Sequence, residues 1–330
     1  MPLSHAMAKT NAAPGKRARL ARAWGAQAHA RLGAVLAAAC RDAAGPAPDP
    51  DRARRLRVAL KETRALLRLL QPALGHRAVA ALSTARRLRH ALAAARESQA
   101  LAILAQSLCD DLSARPAAVL RAAFGAAVLA APADRLIGPV VQCAEPGGTG
   151  VPAAAPSAAW RTDLETLAGQ LIEVGVTAAQ ADIAEALTTT YRRARHRGRR
   201  ALRSGVAADL HAWRSAVTDH RYQLDLVTPA WPAMLGAWSK AVRRLRAQLG
   251  AYNDLAELAA HPALRAAPAN ARQAILRLIA RRMRRHERRA AAAYDRLFAE
   301  RPGDFRRRIA AILDTGPPEA GLKDAASPGG

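Results

Sequence analysis

Asp51-Arg52-Ala53-Arg54-Arg55-Leu56-Arg57-Val58-Ala59-Leu60-Lys61-Glu62-Thr63-Arg64-Ala65-Leu66-Leu67-Arg68-Leu69-Leu70 sorts into two faces when wound at 100° per residue. Leu56, Ala59, Leu60, Thr63, Leu66, Leu67 and Leu70 fall within an arc of about 120°, the apolar stripe of a packed helix. Arg54, Arg57, Lys61, Arg64 and Arg68 fall within an arc of about 80° on another side. One face packs into a bundle and a separate face carries five cations. Asp49 and Asp51 precede the run as caps, and Pro72 is expected to end it.

The same chemistry extends outward. Hydrophobic residues make up 51% of the 330-residue chain, yet aromatics are only 4%, so alanine and leucine fill the core and favour helices over sheets. Formal net charge is +25, which implies nucleic acid, an anionic membrane surface or another polyanion as partner. Arginine far outnumbers lysine, and its planar fork matches phosphate oxygens in pairs.

Residues 1–15 and 315–330 read as loose tails, and the Pro- and Gly-rich stretch over 139–160 as a linker. It separates a first helical half, 16–138, from a second, 161–314. The halves are related. Arg86-Arg87-Leu88-Arg89 recurs as Arg243-Arg244-Leu245-Arg246. Arg57 and Arg64 recur at the same offset as Arg214 and Arg221, and Leu92 and Leu101 as Leu249 and Leu258. The fold expected is therefore all-α, with tandem duplicated four-helix bundles related by a pseudo-twofold axis.

Further cationic stripes appear in the second half. Arg192, Arg195, Arg199 and Arg203 share one helix face, and Arg277, Arg281, Arg284 and Arg288 another. The counterpart of the first stripe reads His211, Arg214, Thr218, Arg221 and Asp225. Asp225 there is expected to repel a phosphate, so the expected path of an anion runs along the first stripe and crosses to the Arg192–Arg203 and Arg277–Arg288 helices. His211 lies on the stripe as a hydrogen-bonding group, whereas His220 falls on the apolar face as a packed residue.

Leu210-His211-Ala212-Trp213-Arg214, then Arg221-Tyr222-Gln223-Leu224, then Leu249-Gly250-Ala251-Tyr252-Asn253-Asp254-Leu255 together resemble the CHAD domain, a helical domain named for its histidines. The first half repeats these pieces more weakly, with Arg54 where the naming histidine is expected. The resemblance spans residues 16–314. It implies the duplicated bundle, a basic groove binding inorganic polyphosphate, a cytoplasmic location on polyphosphate granules, and a binding module without catalysis. The residues assigned to polyphosphate are the three stripes together with His211, Arg214 and Arg221.

Two other readings stand beside it: nonspecific nucleic-acid binding, which the charge equally permits, and a granule scaffold whose protein partners the sequence does not name. Twelve aromatic residues scattered along the chain make no stacking platform, and no helix-turn-helix or zinc-finger pattern occurs. An enzyme is not expected, because there is no Gly-x-x-x-x-Gly-Lys-Ser/Thr loop, no Glu-x-Glu-x-Lys piece and no acidic cluster. No cofactor or metal is called for, since Cys40, Cys109 and Cys143 are far apart and the histidines lack ligand spacing. No apolar run reaches the length of a membrane span.

Overall fold

A computed structural model describes residues 14–44, 52–92, 94–129, 158–172 and 182–314. Every regular element among them is helical: α1 (Pro14–Ala44), α2 (Arg52–Leu74), α3 (His76–Ala91), α4 (Ala94–Cys109), α5 (Ala114–Leu129), α6 (Ala158–Ile172), α7 (Ile183–Ser204), α8 (Ala207–Val227), α9 (Pro232–Ala260), α10 (Pro262–Arg265), α11 (Ala269–Leu297) and α12 (Pro302–Leu313). The all-α expectation holds. The two tails, the proposed caps Asp49 and Asp51, and nearly all of the 139–160 linker lie outside the described residues. The linker's last three positions, and with them Pro14 and Gly15 of the first tail, fall inside helices.

Local chemistry sets the helix ends. Asp182 caps α7 by accepting a hydrogen bond from the Glu185 amide at 2.9 Å, and Gly205 closes it in the left-handed region at φ 62. Pro72 does not stop α2. It sits in the last turn, and the helix runs to Leu74 before Gly75 breaks it at φ 55. A proline three residues from the end removes only one amide, so Gly75 makes the boundary. Pro229 does stand at a helix end: α8 ends at Val227 and a 3₁₀ turn covers Thr228–Ala230.

Helices α1, α2, α3 and α6 pack around one another, and α7, α8, α9 and α11 do the same in the second half. The halves share one core. Leu56, Leu60, Leu66 and Leu70 of α2 join Trp213, Val217 and Leu224 of α8 in a single cluster that also takes in Trp24 and Leu313. The Trp24 indole donates to the Leu313 carbonyl at 3.1 Å, tying the first helix to the last. Each fully buried leucine contributes about 2 kcal/mol. At the centre of the contact Gln223 donates to the Ala65 carbonyl at 2.9 Å and accepts from Thr190, while His220 lies 3.2 Å from Thr190 Oγ1. Burial pushes the His220 imidazole down to about 3, so it is neutral and packed, as its place on the apolar face predicts.

The two halves are built differently beyond this. Leu249 to Ala251 lie inside the uninterrupted α9, whereas their counterparts at the 157-residue offset fall where α3 ends and α4 begins. The α4–α5 hairpin then packs on α9, α10 and α11, forming a second cluster with Leu108, Leu120 and Phe124 against Leu258, Ile275 and Leu278.

Candidate polyanion-binding site

The stripe-bearing helices α2 and α8 pack directly against each other. Their contact buries Asp219 of α8 at 1% exposure beneath the α2 stripe. Arg64 donates to its Oδ1 from Nε at 3.0 Å and from Nη2 at 2.6 Å, and Arg68 donates to Oδ2. Arg64 and Arg68 of the α2 stripe keep only 13% and 21% exposure, and their counter-ion arrives from 151 to 155 residues away. A carboxylate cannot be buried alone, and three charge-assisted hydrogen bonds make this one tolerable. At the 157-residue offset Asp219 is the counterpart of Glu62, which on α2 pairs with Arg31 of α1 at 2.7 Å.

Further cations gather around this pair. Burial lowers the Arg68 guanidinium from its ordinary value; Asp219 opposes that, while Arg193 of α7 and Arg64 add to it. Burial likewise lowers Arg89 of α3, with Arg64 and Arg86 contributing. The His211 imidazole is held below its usual range by partial burial and by Arg214, Arg89 and Arg64 in that order. Arg214 reaches across α9, with Nη1 3.8 Å from Asp254 Oδ1. A Cβ on Gly250 would stand 3.5 Å from its Nη2. The Leu-Gly-x-x-x-Asp-Leu piece of α9 is thus a seat: the bare glycine backbone lies under the guanidinium and the aspartate faces it. Four helices therefore contribute to one cationic neighbourhood: Arg64 and Arg68 bind the buried carboxylate of Asp219, Arg89 feels it, Arg86 and Arg193 act on Arg89 and Arg68 respectively, and Arg214 with His211 adjoins them.

A family model described as the CHAD domain matches residues 26–263. The chain belongs to the CHAD domain family. No curated protein matches the chain.

Within this CHAD domain the remaining residues singled out from the sequence fall into distinct environments. Arg54 is exposed, and Arg57 and Lys61 are half-buried on the same α2 face. Thr218, the counterpart of Lys61, is buried and donates back to the Arg214 carbonyl at 2.8 Å. Arg221 donates to Asp225 at 3.3 Å and lies 4.4 Å above the Tyr222 ring. Asp225 also accepts from Arg243 at 2.9 Å and from Ser239. It is therefore an organising partner of two arginines and not an unpaired repulsive charge at the end of a stripe.

On α7, Arg192 lies 3.7 Å from Glu185, and Arg199 and Arg203 are exposed. Arg195 is held inside the structure, donating from Nε to the Phe298 carbonyl at 2.9 Å while Tyr294 donates to its own carbonyl. The packing pairs α7 with α8, α8 with α9, and α9 with α11, so α11 stands diagonally across from α8. Arg277, Arg281, Arg284 and Arg288 are exposed there, away from the cluster around Asp219. The expected path across all three stripes is not one continuous groove.

Sequence reading missed Arg86, Arg89, Arg193 and Asp219. A signal existed for three of them. Arg86 and Arg89 belong to the Arg-Arg-Leu-Arg piece repeated in the two halves, and Asp219 shares its offset with Glu62. Among the described residues no three His, Cys, Asp or Glu side chains are grouped to hold a metal ion, and no helix is long and apolar enough to cross a membrane.

Proposed function

We propose that this CHAD domain is a binding module for inorganic polyphosphate, seated on the surface where α2, α3, α7 and α8 meet. The observation that carries the reading is a neighbourhood of six arginines and His211 in which Arg64 and Arg68 hold the buried Asp219 and the others act on them and on Arg89. Such a surface binds a chain of phosphates by paired guanidinium contacts and by release of counterions, with no sequence to read. Among the described residues Trp231 is the one exposed Phe, Tyr or Trp, which favours a base-free polyanion over single-stranded nucleic acid. The module acts without catalysis, and a location on polyphosphate granules belongs to the same proposal.

The test is a titration of the purified protein with polyphosphate, duplex DNA and heparin at several salt concentrations. Affinity for polyphosphate falls log-linearly with salt, and Arg86→Glu with Arg89→Glu makes the slope shallower by about one per contact removed. A flat salt response, or tighter binding of DNA than of polyphosphate, overturns the reading. Incubation with polyphosphate or nucleoside triphosphates and magnesium leaves both intact.

A further inference from the structure

Most arginines near the chain's acids are paired: Arg31 with Glu62, Arg55 with Asp42, Arg221 with Asp225, Arg308 with Glu300. Helix α11 departs from this. Arg277, Arg281, Arg284, Arg285, Arg288 and Arg289 are all exposed along it, and none forms an ion pair with a carboxylate among the described residues. Glu287 is the one acid within the stretch. It is half-buried, and it adds to the rise that burial imposes on the Tyr252 phenol of α9. His286 likewise faces inward, 2.8 Å from Gln248.

The inner side of the helix is fully committed to packing, with Ile275, Leu278 and Ile279 in the second cluster and Ala290 and Leu297 in the main one. Like charges at i,i+3 and i,i+4 repel, and here they recur over three turns with Glu287 as the one acid in the stretch and Asp111, paired with Arg282, beside Arg281. From Arg277 to Arg288 the row runs about 17 Å along a straight helix.

Placement matters as much as charge. The α11 row stands across the second bundle from α8, whereas the cluster around Asp219 lies where α8 meets α2, with Arg89 of α3 acting on it. It also begins beyond residue 263, where the match to the family model ends. In the ring α7–α8–α9–α11 the helices α8 and α11 are diagonal, so their outward faces lie on different sides of the bundle.

We infer that the α11 arginine row is a second, independent polyphosphate-binding surface, so that one chain holds two polyphosphate segments and bridges separate polyphosphate molecules. This rests on the proposed function and extends it from binding to cross-linking. Two faces joined by a rigid body raise avidity for long polyphosphate far above that of either face alone.

The experiment is a calorimetric titration with a polyphosphate about as long as the row, near 0.15 M salt, where charges more than about 8 Å apart are screened. It is paired with light scattering on long-chain polyphosphate. The wild type takes up two short chains and makes long-chain mixtures scatter. Arg277→Gln, Arg281→Gln, Arg284→Gln and Arg288→Gln together, all at exposed positions, reduce uptake to one and abolish the scattering. Arg86→Gln with Arg89→Gln leaves the α11 chain bound. A wild-type stoichiometry of one, or undiminished scattering from the α11 variant, overturns this inference alone. A wild type that binds no polyphosphate overturns the proposed function as well.

Discussion

Asp219→Asn separates the stability of this protein from its charge. In the native protein the carboxylate is 1% exposed and accepts from Arg64 at 2.6 and 3.0 Å and from Arg68. The amide keeps the shape but removes the charge and turns a donor toward two guanidiniums. Removing one partner of a buried ion pair costs about 3–5 kcal/mol. Arg64 and Arg68 retain 13% and 21% exposure, so water partly replaces the lost partner and the lower end applies, about 3 kcal/mol. For a chain of this size that corresponds to a fall in Tm of about 4–6 °C by circular dichroism. The same change leaves Arg64 and Arg68 without their counter-ion at the binding surface. The salt slope for polyphosphate should therefore steepen by about two contacts, and polyphosphate should raise the variant's Tm more than the wild type's. Asp163→Asn is the control: its pair with Arg87 is 3.4 Å long and well exposed, so its effect stays below about 1 kcal/mol. An unchanged Tm would mean that the buried pair does not form. A shallower salt slope in a folded Asp219→Asn protein would mean that the carboxylate holds the arginines in their binding geometry, and the reasoning from charge would fail.

Three further outcomes follow from the packing and the titrating groups. Gly198→Ala places a Cβ 2.6 Å from the Tyr294 ring and 2.8 Å from Trp213, so overpacking of about 1–3 kcal/mol outweighs the gain in helix propensity and the melting temperature falls. An unchanged melt there refutes the close approach of α7 and α11. His220 is held neutral at about 3 against an ordinary 6.5, so its contribution is present above pH 6.5 and lost as pH falls toward 3, amounting to several kcal/mol. Denaturant titrations show a shallower acid limb in His220→Gln if this is right. His211 is depressed by burial and by Arg214, Arg89 and Arg64, and a bound polyanion reverses that field. Polyphosphate binding then takes up a proton and tightens as pH drops below 6.5, and anisotropy titrations of His211→Gln lose this dependence. An equal pH response in wild type and variant removes His211 from the site.

Helical periodicity is local, and what depends on it was legible in the chain. The apolar arc over Leu56 to Leu70 packs as read, with Ala59 half-buried and the rest buried. His220 is buried and neutral while His211 stays on the cationic face, a distinction that rests on a 100° step and nothing else. The α11 row is exposed for the same reason. Pro72 misled because a proline near a helix end tolerates one more turn, and the boundary belongs to the positive φ of Gly75.

Other features required the chain to be folded. Whether a stripe arginine meets solvent, a carboxylate or a carbonyl depends on residues remote in sequence. Arg64 and Arg68 meet Asp219, Arg195 meets the Phe298 carbonyl, and Arg214 lies over Gly250. Periodicity along one helix carries no information about the helix that will lie across it, and the energy of a charge is decided by what lies across it. The sequence by itself therefore determined that the protein is all-helical with arginine-lined faces. Only the tertiary structure decided which arginines converge, because burial and Coulomb interactions act between neighbours in space.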